Sequence, residues 1–227
     1  MSAAARLPGA IADAAGTLVL WVPGGIGSRL RRLYFRMRGA RIGPRVRIEV
    51  GVLIDRPDLV EIGSDSWIDR YAILIAGPPG LDRETRAVGD AVPELEGRIR
   101  IGPQCHIGAN TILSGIGGLD VGGQVTLAAG TKVYSLTHHY RSWADPARTD
   151  VVFGSMAPAA LQSMLQGPVR IEDNVGVGVD CVILPGVTIG SGSFVRPRSV
   201  VTSSFEPNSL IAGDPARREG ARFAEPS

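Results

Sequence analysis

Two adjacent histidines, His138 and His139, have the clearest capacity for acid–base chemistry in this sequence. A histidine imidazole changes charge near neutral pH, so its neutral form can take a proton from a hydroxyl or amine that attacks an electrophile. Adjacent side chains diverge, and only one of the two can face a bound substrate. We expect His138 to be this base, with His139 as the alternative. The third histidine, His106, is expected to lie on the surface or beside the substrate.

Other kinds of catalytic machinery are weakly represented. The sequence has no Gly-x-Ser-x-Gly nucleophile motif, and its two cysteines, Cys105 and Cys181, are not spaced as metal ligands. Isolated cysteines behave as small hydrophobic side chains, so both are expected to be buried and unpaired. The sequence therefore favours direct transfer of a group between two bound substrates, with a histidine base and no metal ion.

A six-residue repeat must position these histidines. From Ile42 onward an aliphatic residue returns every six positions, as in Ile101-Gly-Pro-Gln-Cys-His and Ile107-Gly-Ala-Asn-Thr-Ile. Five hexads run unbroken from Ile171, and the fifth place of a hexad is small or β-branched. Neither the period of a helix nor that of an alternating strand explains a repeat of six. A coil with three flat faces explains it, because each hexad supplies one short strand and a turn, and stacked turns pair their strands.

The repeat divides the chain into three parts. Residues 1–41 are predicted to be an N-terminal apolar and basic helical segment, residues 42–218 the coil, and residues 219–227 a flexible tail. Each part follows from where the six-residue period begins and ends.

Two interruptions of the repeat, residues 76–98 and 139–168, are predicted to be loops extruded from the coil. Long loops in compact domains are usually functional. His138 ends the hexad that comes directly before the second loop. It is therefore expected at a corner of the coil, with its backbone fixed by the stacked turns and its ring directed into a cleft.

Residues 28–38 are predicted to form a helix that begins at Ser28. Its apolar side chains (Leu30, Leu33, Tyr34 and Met37) lie on one face and its arginines (Arg29, Arg32 and Arg36) on another. Eight arginines and no acidic residue lie between Ala14 and Ile48, although the net charge of the chain is only +2. Two interpretations stay open: the helix closes the open top of the coil, or it lies on an anionic membrane.

The apolar stretch of residues 10–22 is too short to span a bilayer, and its arginines follow it, which is the wrong order for a signal peptide. We therefore expect a cytoplasmic protein, with peripheral contact at the inner membrane face if the arginine cluster binds lipid. Nucleic acid is not expected as a partner, because the arginines lack interleaved aromatic residues.

These hexads resemble those of the hexapeptide acyltransferase superfamily over residues 42–218. Residues 125–139 (VTLAAGTKVYSLTHH) are similar to a segment of galactoside and maltose acetyltransferases, and of their relatives in surface-polysaccharide biosynthesis, that ends in the catalytic histidine. Residues 182–218, which end in AGDPARR, resemble the closing turn that lines the coenzyme A site in relatives. The resemblance implies an all-β fold, a left-handed parallel β-helix with a short N-terminal helical segment and two extruded loops. It also implies a homotrimer with active sites between neighbouring subunits.

On this resemblance His138 matches the catalytic histidine, and acetyl-CoA or another acyl-CoA is the implied cosubstrate, with no metal. The acceptor is expected to contact Asn110, Gln124 and Tyr140, and Gln124 matches a family position where an amide binds the acceptor. The implied cofactor-binding residues are Gly178, Arg196, Arg198, Ser199, Ala212, Arg217 and Arg218, whose arginines suit phosphate groups. The sequence departs from the family at Arg141, where an acidic residue often follows the catalytic histidine, and at Arg196-Pro197-Arg198, where relatives have small residues.

The resemblance implies a CoA-dependent O-acetyltransferase. It would move an acyl group to a hydroxyl or amino group of a sugar-like acceptor, free or lipid-linked, in surface-polysaccharide biosynthesis. One alternative is a non-catalytic β-helix scaffold. Another is a metalloenzyme like the γ-class carbonic anhydrases, which hold zinc with three histidines, two of them five residues apart. The spacing of His106, His138 and His139 does not match that pattern.

Overall fold

Parallel strands wind around an aliphatic interior in this computed structural model, which describes residues 16–80 and 82–224. Successive strands along the chain belong in turn to three parallel sheets, here called sheet A, sheet B and sheet C. The three sheets form the sides of a prism, and each circuit of the prism is one coil. The predicted all-β, parallel architecture is therefore confirmed. Residues 1–15 of the predicted N-terminal segment and residues 225–227 of the predicted tail lie outside the described residues.

Most strands have two or three residues and are numbered in chain order. Sheet A contains β1 (Arg41–Ile42), β4 (Val60–Ile62), β8 (Ile99–Ile101), β11 (Leu119–Val121), β16 (Val169–Ile171) and β19 (Thr188–Ile189). Sheet B contains β2 (Arg47–Ile48), β5 (Trp67–Ile68), β9 (His106–Ile107), β12 (Thr126–Leu127), β17 (Gly176–Val177), β20 (Phe194–Val195), β22 (Ser209–Gly213) and β23 (Ala216–Ala221). Sheet C contains β3 (Leu53–Asp55), β6 (Ile73–Ile75), β10 (Ile112–Ser114), β13 (Lys132–Tyr134), β18 (Val182–Ile183) and β21 (Val200–Val201).

The interior is built from the aliphatic first places and the small fifth places of the hexads. Ile68 and Ile107, both first places, are fully buried, and Thr111 is a fully buried fifth place. Cys105 and Cys181 also occupy fifth places, and both are buried and unpaired, as predicted. Burial raises the pKa of each thiol. The cysteines are therefore core residues of the coil.

Backbone hydrogen bonds join each coil to the next one along the chain. In the strands, the N–H groups of one coil donate to carbonyl oxygens of the following coil, as from Gly43 to Ile62 and from Gly63 to Ile101, whereas some bonds at the turns run the other way, as from Asp65 to Pro44. The strand carbonyl oxygens of the first coil therefore have no earlier coil to satisfy them. An open strand edge of this kind costs free energy when it is buried, and it invites pairing with another chain when it is exposed.

The helix Gly24–Met37 covers this open edge with its arginines. Three guanidinium groups each donate to a carbonyl of the first coil: Arg31 Nε to Ile48 at 2.8 Å, Arg32 Nη1 to Val46 at 3.2 Å, and Arg36 Nε to Ile42 at 3.0 Å. Arg31 is fully buried, and its Nη1 also donates to the Val22 carbonyl at 2.7 Å, just after the helical residues 16–21. Burial lowers the pKa of Arg31, and Glu49 partly opposes that shift. The helix thus closes the top of the coil, and the face that does so is the arginine face.

The helix begins four residues earlier than predicted, directly after Pro23. Ser28, the predicted first residue, is buried instead, and its hydroxyl accepts a hydrogen bond from the Ile48 N–H at 3.0 Å. Pro23 is the residue before the helix, and its extended backbone (φ −77°, ψ 166°) marks the boundary. Ser28 therefore attaches the helix to the first coil.

Both interruptions of the repeat emerge at the corner between sheet C and sheet A and pair with each other. They form a separate three-stranded sheet, sheet D, from β7 (Glu84–Ala87), β14 (Leu136–His139) and β15 (Ser163–Gln166). Strand β14 is antiparallel to β15, and β15 is parallel to β7. The prediction that stacked turns fix the backbone of His138 is therefore wrong, since this residue lies on sheet D and is fixed by β15.

The outward faces of sheet A and sheet C have opposite character. Along sheet A the outward residues alternate in charge from coil to coil, in the order Arg41, Glu61, Arg100, Asp120 and Arg170. Along sheet C the matching column is mostly apolar, with Leu53, Ile73, Ile112, Lys132, Val182 and Val200. Sheet A is therefore suited to water and sheet C to contact with another apolar surface.

A β-hairpin closes the last coil. Strand β23 folds back antiparallel on β22, so it covers the open edge of sheet B at this end. Strand β23 continues to Ala221, and the Phe223 N–H donates to the Asn208 side chain, so this part of the predicted flexible tail is paired. No helix within the described ranges is long and apolar enough to cross a membrane.

The capping role of Arg31 predicts a large effect on stability. We expect Arg31→Met to lower the free energy of unfolding by about 3 kcal/mol, because several carbonyls lose their buried donor. The matched control is Arg29→Met on the same helix, since Arg29 is exposed and should change stability by less than about 0.5 kcal/mol. Urea denaturation at a fixed protein concentration measures both. Equal losses in the two variants would contradict the capping role.

Candidate active site

His138 lies near the outer end of β14, where its ring is partly buried. Its Nε2 lies 3.2 Å from Oε1 of Gln162, and its ring centroid lies 5.4 Å from that of the exposed Phe153. The Gln162 side chain is buried, and its amide nitrogen donates to the backbone carbonyls of Ser155 and Ala157. Two carbonyl acceptors fix the orientation of this amide, because turning it over would place oxygen against oxygen.

This orientation determines which nitrogen of His138 carries the proton. The Oε1 atom of Gln162 can only accept, so Nε2 of the neutral imidazole must be the donor. The lone pair then lies on Nδ1, which makes no hydrogen bond to the described residues. His138 is therefore held in the tautomer whose Nδ1 atom is available to accept a proton.

His139 is packed into a stack of rings. It is buried, with its ring centroid 3.8 Å from that of Trp143 and 4.3 Å from that of Tyr140. Its Nδ1 lies 2.9 Å from the Arg141 carbonyl oxygen and 3.4 Å from the Arg141 backbone nitrogen. Because the carbonyl contact is the shorter of the two, we assign Nδ1 as its donor, which leaves the lone pair on Nε2. The guanidinium of Arg86, from β7, lies 4.4 Å over the other face of Trp143. His139 thus anchors the start of the second loop, and it presents the opposite nitrogen to the one that His138 presents.

Glu84, on β7, binds the segment that follows the two histidines. Its Oε1 accepts hydrogen bonds from the Ala144 N–H (2.7 Å), the Ser142 hydroxyl (2.9 Å) and the Trp143 N–H (2.5 Å). The Ala144 N–H, with the other two donors, holds the pKa of Glu84 below its usual value, although desolvation opposes the shift. One carboxylate of the first loop therefore holds the second loop in place.

The residues predicted to bind the acceptor do not converge within one chain. Tyr140 lies beside the histidines, with its side chain exposed. Asn110 lies in the turn between β9 and β10, at the corner of sheets B and C, and Gln124 lies between β11 and β12, at the corner of sheets A and B. Both have positive φ, as these turns require. Within the chain, only Tyr140 is placed beside His138.

The residues predicted to bind the cofactor gather at one edge of the prism. Gly178 and the stretch Arg196 to Ser199 lie in turns between sheet B and sheet C, as Asn110 does. Gly178 is two coils further along the prism than Asn110, and the stretch from Arg196 is three coils further. Ala212, Arg217 and Arg218 belong to the closing hairpin, which the Gly213 N–H ties to the Ser199 hydroxyl. Gly178 has no room for a side chain, because an added Cβ would lie 2.5 Å from the Pro197 nitrogen. This edge borders sheet C on the side opposite to the corner that carries His138.

His106 does not join the other two histidines. It lies on sheet B, where its ring stacks on Trp67 at 5.1 Å. Among residues 16–80 and 82–224, no group of three or more His, Cys, Asp or Glu side chains could hold a metal ion. Within one chain, His106 therefore lies on a different sheet from His138 and His139.

Two curated relatives carry acetyltransferase names. Protein C18B11.09c of Schizosaccharomyces pombe, named as an acetyltransferase, is 27% identical over 168 residues, which is 70% of this chain and 72% of that protein. A chloramphenicol acetyltransferase of Agrobacterium fabrum is 34% identical over 61 residues, which is 27% of this chain and 29% of that enzyme. The second match thus spans less than a third of the enzyme.

Two solved structures share the fold. AntD from Bacillus cereus is an N-acyltransferase, solved with dTDP-4-amino-4,6-dideoxyglucose and coenzyme A. It has a TM-score of 0.67 at 24% identity, covering 85% of this chain and 90% of AntD. VCA0836 from Vibrio cholerae is a hexapeptide-repeat-containing acetyltransferase, solved with acetyl coenzyme A. It has a TM-score of 0.53 at 20% identity, covering 99% of this chain and 93% of VCA0836. At these identities the likeness shows the fold.

Family models match two parts of the coil. The bacterial transferase hexapeptide model matches residues 168–203, and the model for the hexapeptide repeat of succinyl-transferase matches residues 98–135. These two segments of the chain are similar to the repeats of hexapeptide transferases. They lie on either side of the second loop, so the loop that follows the histidines interrupts the matched repeats.

Two residues of the candidate site were not predicted from the sequence. Gln162 and Glu84 lie in the interruptions of the repeat, where no period marks which residues face inward. A glutamine or glutamate in such a segment carries no signal of its own. Glu84 acts across the two loops, on the segment 142–144, whereas Gln162 acts within the second loop and on His138 at its start.

The Glu84 contacts predict a pH-dependent effect. We expect Glu84→Gln to lower the thermal unfolding midpoint near neutral pH, because a carboxylate accepts hydrogen bonds more strongly than an amide. The folded-state pKa lies below the usual 4.5, so the stabilisation is complete above that pH and is lost as pH falls through the folded-state pKa. Thermal unfolding of both proteins across acidic pH measures this.

The matched control is Glu94→Gln, an exposed residue of the same loop. It should leave the midpoint unchanged at every pH. A difference between wild type and Glu84→Gln that does not shrink with acid would show that the charge is not what holds the second loop.

Proposed function

We propose that this protein transfers an acetyl or related acyl group from acyl-CoA to a hydroxyl or amino group of a sugar-like acceptor. His138 acts as general base from sheet D, beside the coil, which the family resemblance implies is left-handed. The observation that carries the proposal is the Gln162 contact, which leaves Nδ1 of His138 available to accept a proton. AntD and VCA0836, which share the fold, support an acyl-CoA cosubstrate, and the sugar nucleotide bound to AntD supports a sugar-like acceptor.

The chemistry needs only one titrating side chain. As the acceptor oxygen or nitrogen attacks the thioester carbonyl, Nδ1 of His138 takes its proton, and the Nε2–H bond to Gln162 helps to hold the resulting imidazolium. Collapse of the tetrahedral intermediate breaks the carbon–sulfur bond. The imidazolium proton can then pass to the departing thiolate, so the base is regenerated. The remaining task is to hold both substrates together.

A homotrimer would bring the parts of the site together. Sheet C, with its apolar outward column, is bordered on one side by the His138 corner and on the other by the edge that carries Gly178, Arg196 and Arg198. If three copies pack sheet C around a threefold axis, the His138 corner of each copy meets the opposite edge of its neighbour. Asn110, on that same edge, would then approach His138 from the neighbouring copy. The proposed active site is therefore shared between subunits.

The acceptor is proposed to be a sugar of a surface polysaccharide, as the family resemblance implies. AntD is an N-acyltransferase, so an amino group and a hydroxyl group are both acceptor candidates. Pairs of sugars that differ only in this group distinguish O-transfer from N-transfer.

A thiol-release assay with acetyl-CoA tests the reaction. We expect turnover with a subset of hydroxy- and amino-sugars and sugar nucleotides, and a decrease of roughly 10²–10⁴-fold in kcat for His138→Ala, because the base is lost. The matched comparison is His139→Ala. A loss confined to His139→Ala would transfer the role to His139, and absence of turnover over the whole panel would favour the scaffold alternative.

The Gln162→Met variant separates positioning from folding in the same assay. Methionine is similar in size, but it lacks the amide oxygen that accepts a hydrogen bond from Nε2–H, so the His138 ring loses the hydrogen bond that holds it. We expect a lower kcat with little change in the KM values of the two substrates, because Nδ1 of His138 is no longer held in place for the reacting state. A purely structural role for Gln162 would instead lower the thermal unfolding midpoint together with the rate.

The shared site predicts a link between assembly and activity. We expect wild type to have three times the 23.9 kDa mass of the chain, measured by light scattering after gel filtration. Val182→Asp on sheet C should dissociate the trimer and abolish turnover, because a charge would be buried in the interface. The matched control is Thr188→Asp, at the equivalent outward place of sheet A in the next strand, which should remain trimeric. An active monomeric wild type would overturn the shared site.

A further inference from the structure

The N-terminal helix Gly24–Met37 turns an apolar stripe away from the protein. The stripe consists of Ile26, Leu30, Leu33 and Met37, whose spacing places them on one face of the helix. Ile26 is 70% exposed and Met37 is 77% exposed, and Trp21, just before the helix, is 57% exposed. Large side chains that are exposed together in this way mark a contact surface.

The stripe cannot turn inward. The buried face of the helix carries Ser28, Arg31 and Phe35, and Arg31, with its neighbours, donates to the carbonyl oxygens of the first coil. Rotating the helix to bury Leu33 would break these bonds and leave buried acceptors unsatisfied. Exposure of the stripe therefore follows from the way the coil is capped.

A basic cleft lies beside the same helix. It has a volume of about 810 Å³, and its charged lining consists of Arg29, Arg32, Arg45, Arg47, Arg70, Glu49 and Asp69. Asp65 and Glu49 pair with two of these arginines, Arg45 and Arg47 respectively. The guanidinium groups of Arg29 and Arg70 have no partner among the described residues. The cleft is thus net positive and has two guanidinium groups available for anions.

We propose that this N-terminal surface binds an anionic phospholipid bilayer. The apolar stripe enters the interface between headgroups and acyl chains, Trp21 lies at the headgroup level, and Arg29 and Arg70 bind lipid phosphates. Charge complementarity selects this occupant over a second copy of the chain, because two copies would bring their arginine clusters together. The proposal goes beyond the acyl transfer and does not depend on it.

Vesicle sedimentation of the full chain tests the proposal. We expect wild type to bind vesicles of equimolar phosphatidylcholine and phosphatidylglycerol, to bind pure phosphatidylcholine vesicles less, and to dissociate as salt is raised. The Ile26→Ser/Leu33→Ser double variant should bind at least about tenfold more weakly, and Arg29→Gln about fivefold more weakly. All substituted side chains are exposed, so the fold should be kept.

Two matched controls alter the opposite end of the prism. Phe223→Ser removes an exposed apolar side chain, and Arg217→Gln removes an exposed charge, so neither should change vesicle binding. Equal binding by wild type and the double variant would overturn the proposal, as would failure of wild type to bind the anionic vesicles. Self-association of wild type that the double variant abolishes, without vesicle binding, would assign the stripe to a second copy instead.

Discussion

Satisfaction of backbone hydrogen bonds from coil to coil is the constraint on which this structure depends. Strand N–H groups of each coil donate mainly to the carbonyl oxygens of the next coil, so the hydrogen bonding is complete except where a neighbouring coil is missing. Neighbours are missing at the two ends. Arginines of the N-terminal helix supply donors at one end, and the β22–β23 hairpin supplies a paired strand at the other. The helix and the hairpin thus satisfy backbone groups that the coil leaves unpaired at its two ends.

The same constraint explains why the candidate site lies outside the coil. Segments that leave the stack must find other partners, and the two loops find each other in sheet D. Strand β15 fixes the backbone of the histidines, Glu84 fixes the segment after them, and Gln162 fixes the proton on His138. A rigid three-stranded platform therefore takes the place of a flexible loop, which suits a base that must be positioned accurately.

The three sides of the prism face different surroundings. Alternating charges on sheet A favour water, and the apolar column on sheet C favours a protein surface. The corner with His138 and the edge with Gly178 border the same sheet on opposite sides. Burying sheet C between copies would therefore bring the His138 corner of one copy to the Gly178 edge of another. The stability of the proposed assembly and the formation of the proposed site would then depend on the same surface.

The sequence by itself determined the coil, because a period of six with aliphatic first places and small fifth places repeats the same local requirement in every turn. It also predicted the buried cysteines, and the family resemblance singled out His138 as the base that we propose. Only the tertiary structure decided that His138 leaves the coil, that Glu84 and Gln162 hold the histidine segment, and that the helix caps the coil with its arginines. These features arise from contacts between segments far apart in the chain, and aperiodic loops carry no local pattern that indicates which partners they will meet.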